Sequence, residues 1–332
     1  MNKGKGVLYT DYNANNKIFD LNDKNVNRDN FAYFYYKLKD VFYSKGYDLS
    51  TQDINDCLTS EFVLYHNMPK RLLNKKKLDK SYLLIVEPEV VKPENYDIKK
   101  HKYFNKIFTW NDSLIDNKKY FKINFSYLFP NTINKNIQNK EKLCTLISGN
   151  KYTKHPLELY SKRIEAIRWF EKNHPEDFDL YGMKWGKFKF YSLYFNYKYN
   201  KKFSAYYPSY NGKIESKKEV LQKYKFAICY ENARDIPGYI TEKIFDCFFA
   251  GCVPIYWGAN NVTDYIAENC FIDKRKFKTY DELYNYMTSM SDQQYLEYLD
   301  NIEKYLNSDK IKPFTVEYFA EIISREIIND MI

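Results

Sequence analysis

The sequence predicts an α/β protein made of two doubly wound, Rossmann-like domains that face each other across a cleft. Three observations carry this. Short apolar runs at 82–86, 143–147, 226–230 and 253–257 alternate with helical stretches at the spacing of parallel β-α units. The alternation is broken once, by the polar, aperiodic segment from Asn131 to Lys142, which reads as an interdomain linker. A chain of 332 residues is also long enough for two ordinary domains, each with its own core. The expected division is 1–135 for the first domain, 136–310 for the second, and 311–332 for a terminal helix that packs back on the first domain.

Residues 7–12 read as a first short strand. A helix is expected from Arg28 to Lys45, with Phe31, Phe34, Leu38, Val41 and Phe42 on one face, Asn27 or Asp29 as cap, and Gly46 as left-handed stop. Strands follow at Tyr47–Ser50 and Glu61–His66. The uninterrupted apolar run Tyr82–Val86 fits a central parallel strand, buried on both faces. Further strands are expected at Ile107–Trp110 and Phe121–Phe125. The second half opens with a strand at Leu143–Ile147, then a helix that carries Arg163 and ends near His174. Phe226–Tyr230, a helix over Ile240–Ala250 stopped by Gly251, and Val253–Trp257 form one βαβ unit. Helices are expected near 279–290, 292–307 and 316–328.

Composition sets bounds. With 44% hydrophobic residues the chain is not of the disordered class. The net charge of +9 suits an anionic sugar nucleotide, nucleic acid or a peripheral contact with anionic lipid, and decides among them poorly. The lysines are scattered except around Lys75-Lys76-Lys77, which reads as a solvated turn. No apolar run reaches the roughly 20 residues of a membrane span, and the N-terminal residues lack a signal-peptide pattern. The expectation is a cytoplasmic protein, with the inner face of the membrane as a further possibility. Six cysteines without CxxC spacing read as buried thiols. Four dispersed histidines do not suggest a metal site. Asp177-Phe178-Asp179 is a DxD triplet, but it precedes a strand where a nucleotide-metal site would follow one. No phosphate-loop or nucleophile-elbow pattern occurs in a fitting context.

The chemistry concentrates in 224–258, YKFAICYENARDIPGYITEKIFDCFFAGCVPIYWG. Its helix begins with Glu242 and Lys243. A helix N-terminus favours anions, so a lysine there opposes the dipole and makes sense beside an anionic ligand. YKFAICYEN, YITEK and AGCVPIYWG together resemble the C-terminal signature of the family 10 glycosyltransferases, the α-1,3-fucosyltransferases. The resemblance implies a GT-B architecture, inverting transfer from GDP-fucose to a glycan hydroxyl (O3 of GlcNAc or glucose), no required cofactor or metal, and no nucleic-acid partner. The alternatives are a GT-B transferase that uses another GDP-sugar, or a catalytically idle glycan- or nucleic-acid-binding protein.

In that family the second domain holds the donor. The resemblance places Arg163 and Lys243 on its phosphates and Glu242 on nucleotide or sugar hydroxyls. It also ties Asn232 and Tyr239 to donor binding. Glu231 is either a sugar contact or an organiser of the loop. The opposite wall must supply a general base at the carboxyl end of a strand. Glu87-Pro88-Glu89 follows the central strand at once. Glu89 stands four residues before Pro93, as the family's proposed base does, and Glu87 is the alternative.

Overall fold

The computed structural model describes residues 4–70, 80–186 and 207–331; the turn expected at 75–77 lies outside them. Six strands, β1 (Gly4–Tyr9), β2 (Tyr47–Thr51), β3 (Phe62–His66), β4 (Ser81–Ile85), β5 (Lys106–Thr109) and β6 (Tyr120–Lys122), form a parallel sheet in the order β2-β1-β3-β4-β5-β6. The five strands β7 (Lys142–Ile147), β8 (Phe178–Tyr181), β9 (Tyr224–Tyr230), β10 (Val253–Trp257) and β11 (Ile272–Asp273) form a second, in the order β11-β10-β9-β7-β8. In each sheet the chain starts inside and reverses direction once, between β1 and β3 in the first and between β7 and β9 in the second. Crevices at the carboxyl ends of such switch points are where open α/β sheets bind ligands. All five residues of β4 are buried, as a strand covered on both faces requires.

The first helix, α1 (Tyr33–Ser44), begins five residues later than its apolar spacing suggests. Asp29 and Asn30 are left-handed, with φ of 54° and 63°, and this breaks the helix before it starts. Neither expected side chain caps it: its first position follows Ala32, whose N–H donates to Asn27 Oδ1 at 3.2 Å. Phe31 falls outside the buried face and is 48% exposed, and Tyr35 takes its place in the core. Gly46 is left-handed (φ 92°), as the stop demands.

The second sheet is flanked by α2 (Tyr160–Asn173), the short α3 (Lys217–Leu221), α4 (Glu242–Phe249), α5 (Tyr280–Ser289) and α6 (Asp292–Leu306). The last helix, α7 (Val316–Asn329), joins the first sheet: Val316, Phe319, Ala320, Ile323 and Ile327 share one buried cluster with Leu8, Phe34, Leu38, Leu64 and Tyr82. The 131–142 segment is held in place despite its polarity. Lys140 Nζ donates to the carbonyls of Gln222 and Gly251, the latter at 2.6 Å, and Lys135 pairs with Asp300 and Glu303. No helix among the described residues is long and apolar enough to cross a membrane.

Candidate active site

The β9–α4 connection builds one wall. Glu231, the first residue beyond β9, is fully buried, and its carboxylate caps α4 in place of a local side chain. Oε1 accepts from the N–H of Thr241 at 2.8 Å and Oε2 from the Thr241 hydroxyl at 2.6 Å. A buried carboxylate needs hydrogen bonds and a counter-charge. Lys243 supplies the charge, its Nζ 3.1 Å from Oε2 and 2.9 Å from the Thr241 hydroxyl. Glu231 therefore organises the helix start. The lysine that opposes the helix dipole is held by this acid.

Lys243 also lies 3.4 Å from Glu242, whose side chain is 40% exposed towards the cleft. Lys217 approaches Glu242 at 3.6 Å and Asp246 at 2.6 Å. Burial would raise the Glu242 carboxyl, but Lys243 and Lys217 outweigh it and hold it well below the usual carboxylate range. Glu242 is thus an ionised acceptor at the cleft, suited to hydroxyl donors.

Arg163, on α2, is almost wholly buried. Its Nη2 donates to the carbonyls of Tyr230 (2.7 Å) and Glu231 (2.8 Å) and to Asn232 Oδ1 (3.1 Å). A planar guanidinium can fix the strand end with one nitrogen and keep others for the cleft, which a lysine cannot. Arg163, Asn232, Glu242 and Lys243 all line one cavity at the β7/β9 switch point. Arg168, the other arginine of α2, pairs with Glu171 and stacks over Tyr207, and it does not line that cavity.

Tyr239 is placed differently. It is buried in a cluster between the domains, its ring 4.6 Å from that of Trp110, and it is not among the cavity-lining residues. The loop before it is also pinned by the first domain. Gly238 has φ 80° and sits so close to the Trp110 carbonyl that a Cβ would come within 2.3 Å of it. Its N–H donates to Asn261 Oδ1 at 2.8 Å, and Asn261 in turn donates to Asp112 of the first domain at 2.9 Å. The Lys122 ammonium (2.6 Å) and the Tyr265 hydroxyl (2.7 Å) complete the shell of Asp112.

The facing wall is the end of β4. Asn67 is left-handed (φ 62°), and its Oδ1 accepts from the N–H groups of Val86 and Glu87, each at 3.0 Å. Asn95 Nδ2 donates to Asn67 Oδ1 and to the Glu87 carbonyl, and Trp110 Nε1 holds the Val86 carbonyl at 2.8 Å. The two carboxylates diverge from this frame. Glu87 is the more enclosed of the two: burial pushes its carboxyl up, and Lys151, Glu242 and Lys243 are the charges that act on it most. Glu89 is half exposed and lies 3.6 Å from Nε2 of His155, a second-domain residue. His155 Nδ1 accepts from the Leu157 N–H at 3.2 Å, so in the neutral ring the proton is on Nε2, facing Glu89.

Both acids of the DxD triplet accept hydrogen bonds within the fold. Asp179 lies inside β8 and accepts from Lys142 (3.0 Å), Tyr224 (2.5 Å) and Asn211 (2.7 Å), and Asp177 accepts from Tyr284 at 2.6 Å. The six cysteines are free thiols. Lys151, Lys217 and Asp246 line the cavity and escaped the sequence reading. Lys151 directly follows the Ser148-Gly149-Asn150 loop at the end of β7, a position that could have revealed it. The other two have no local signal.

Two parallel α/β sheets with a charged cavity at the β7/β9 switch point define a GT-B-like glycosyltransferase fold. Solved structures agree on the fold. An α1,3-fucosyltransferase crystallised with GDP aligns over 99% of this chain and 92% of its own, with a TM-score of 0.58 at 15% identity. HepE of Anabaena, crystallised with UDP-glucose, aligns over 98% and 99%, with a TM-score of 0.52 at 8% identity. Residues 137–317 match the model of the glycosyltransferase family 10 (fucosyltransferase) C-terminal region, more than half of the chain, and the protein belongs to that family. The α-(1,3)-fucosyltransferase FucT of Helicobacter pylori is 39% identical over 74 residues, 22% of this chain and 15% of FucT. The α-(1,4)-fucosyltransferase of Arabidopsis thaliana is 39% identical over 72 residues, 22% of this chain and 18% of that enzyme. The matched stretches thus span less than a fifth of these relatives' own length.

Proposed function

We propose that the protein is an inverting fucosyltransferase that moves L-fucose from GDP-fucose to a glycan hydroxyl, O3 of GlcNAc or glucose. The observation that carries the reading is the cluster of Arg163, Lys243 and Lys151 with ionised Glu242 at the β7/β9 switch point, opposite the carboxylates that follow β4. In the reaction the acceptor oxygen forms its bond to the anomeric carbon as the bond from that carbon to the diphosphate oxygen breaks. The acceptor proton passes to a carboxylate of the β4 end, and the bonding pair leaves with GDP. Negative charge grows on the leaving phosphates, where fixed cations lower the barrier. Arg163 and Lys243 serve that charge, Glu242 accepts from nucleotide or sugar hydroxyls, and Asn232 is oriented by Arg163 for a donor contact. Glu231 acts through Lys243 and the helix start, and Tyr239 through interdomain packing.

The base is read in two ways. The spacing to Pro93 selects Glu89, whereas burial and the facing cations select Glu87. Nucleotide release from a panel of GDP-, UDP- and ADP-sugars, with GlcNAc- and glucose-terminated oligosaccharides present, tests the function. GDP-fucose is expected to be turned over fastest. Turnover of GDP-mannose without GDP-fucose would replace the fucose assignment with another GDP-sugar.

A further inference from the structure

The charged groups of the cleft stand in a row that continues past the donor domain into the first domain. At the β4 end Lys151 acts on Glu87 and is itself acted on by Lys243 and Arg163, and Glu242 follows, approached by Lys243 and Lys217 at 3.4 and 3.6 Å. Lys217 holds Asp246 at 2.6 Å, and its backbone N–H donates to Asp29 Oδ1, across the domains, at 3.1 Å. Arg28, whose Nε lies 3.2 Å from Asp29 Oδ2, lines the same cavity from the far side. Among the described residues its Nη atoms have no partner. Asp29 and Asn30 are both left-handed, a conformation that Asp and Asn adopt more readily than other non-glycine residues. Asn27 braces this turn by donating to the Leu21 carbonyl at 3.0 Å while accepting from Ala32.

A nucleotide sugar is a row of the same order: sugar, diphosphate, ribose, base. With the sugar at the β4 end, the diphosphate at Arg163 and Lys243 and the ribose at Glu242, the nucleobase reaches Lys217 and Arg28. We propose that Arg28, from the first domain, takes the acceptor edge of a guanine base across the cleft, and that Asp29 ties this contact to the donor domain. Guanine presents O6 and N7 side by side, a pair that an arginine fork meets with two hydrogen bonds and that uracil lacks.

This inference rests on the GDP-sugar reading above, and calorimetry on the full chain separates the two. Wild type, Arg28→Ala and Arg28→Lys are titrated with GDP, UDP and pyrophosphate, with circular dichroism as the check of folding. Arg28→Ala is expected to weaken GDP about tenfold, to narrow the preference for GDP over UDP, and to leave pyrophosphate within about twofold. Arg28→Lys keeps the charge but loses the fork, so it should restore less than half of the GDP loss on a logarithmic scale. Asp29→Ala should weaken GDP and spare pyrophosphate. Equal losses for GDP and pyrophosphate would reduce Arg28 to a general attraction for anions and overturn the base contact, as would unchanged GDP binding in Arg28→Ala. A wild-type protein that binds no GDP would overturn the GDP-sugar reading itself.

Discussion

At the scale of single residues, several side chains carry two duties, and the balance between them can be measured. Lys243 neutralises a fully buried Glu231 and also faces the cleft. Lys243→Ala should therefore cost about 3 kcal/mol of stability, because it leaves a buried carboxylate without a counter-charge. It should also weaken GDP by about 1.5–3 kcal/mol. Urea unfolding and calorimetry read the two losses separately, and a stability loss with intact GDP affinity would confine Lys243 to a structural role. Glu87 and Glu89 divide in the same way. Removing the base should lower turnover by about 10²–10⁴ with donor affinity nearly unchanged. Turnover of Glu87→Gln beside that of Glu89→Gln identifies it.

His66 offers a test of stability against pH. It is buried against the Tyr35 hydroxyl (2.5 Å) and the Tyr12 hydroxyl, and burial, aided by Lys92, lowers its pKa to about 3. Between that value and the unfolded value of about 6.5 the unfolded chain binds a proton that the folded protein does not. Stability therefore rises with pH across this window, and acidification through it removes up to about 5 kcal/mol. In His66→Gln this part of the slope should vanish, as melting curves recorded from pH 4 to 7 would show. Identical slopes in the two proteins would mean that His66 is not the group responsible.

At the scale of elements, what was legible in the sequence follows the range of the interactions involved. β4 and β9 were legible because an uninterrupted apolar run is a local signal of burial on both faces. The start of α1 was not: the left-handed pair at 29–30 interrupts the helical run, and Asp29 accepts from the Lys217 N–H of the other domain. Likewise Glu231 could be read as a sugar contact or a loop organiser until Thr241 and Lys243 were seen around it. The Pro237-Gly238 turn shows the same dependence. Its glycine is needed both for φ 80° and for the approach to the Trp110 carbonyl. Gly238→Ala should destabilise the protein by more than about 1 kcal/mol and, by shifting the 233–238 loop, weaken donor binding. Unfolding midpoints with and without GDP would reveal both effects, and a variant as stable as wild type would show that the turn can yield.

At the scale of the whole molecule, α7 returns to the first domain and closes its core. Each large apolar side chain it buries contributes about 1.5–3 kcal/mol, and Phe319, Ile323 and Ile327 are all buried there. Ending the chain at Thr315 should leave the first sheet unable to fold stably while the second keeps its own core. Limited proteolysis should then degrade the first half and spare the second. A truncated protein that melts as wild type does would show that α7 is dispensable.

By itself the sequence determined the α/β class, the two-domain alternation and, through the 224–258 block, the family. These are encoded in periodicity and in neighbouring residues, and they survive without knowledge of long-range contacts. Only the tertiary structure decided how the charges are shared: that Glu231 is an internal anchor, that Tyr239 is packed between the domains, that Glu87 is more enclosed than Glu89, which lies beside His155, and that Arg28 lines the cleft from the first domain. The field at a side chain is set by groups tens or hundreds of residues away in sequence, and only folding brings them within a few ångströms.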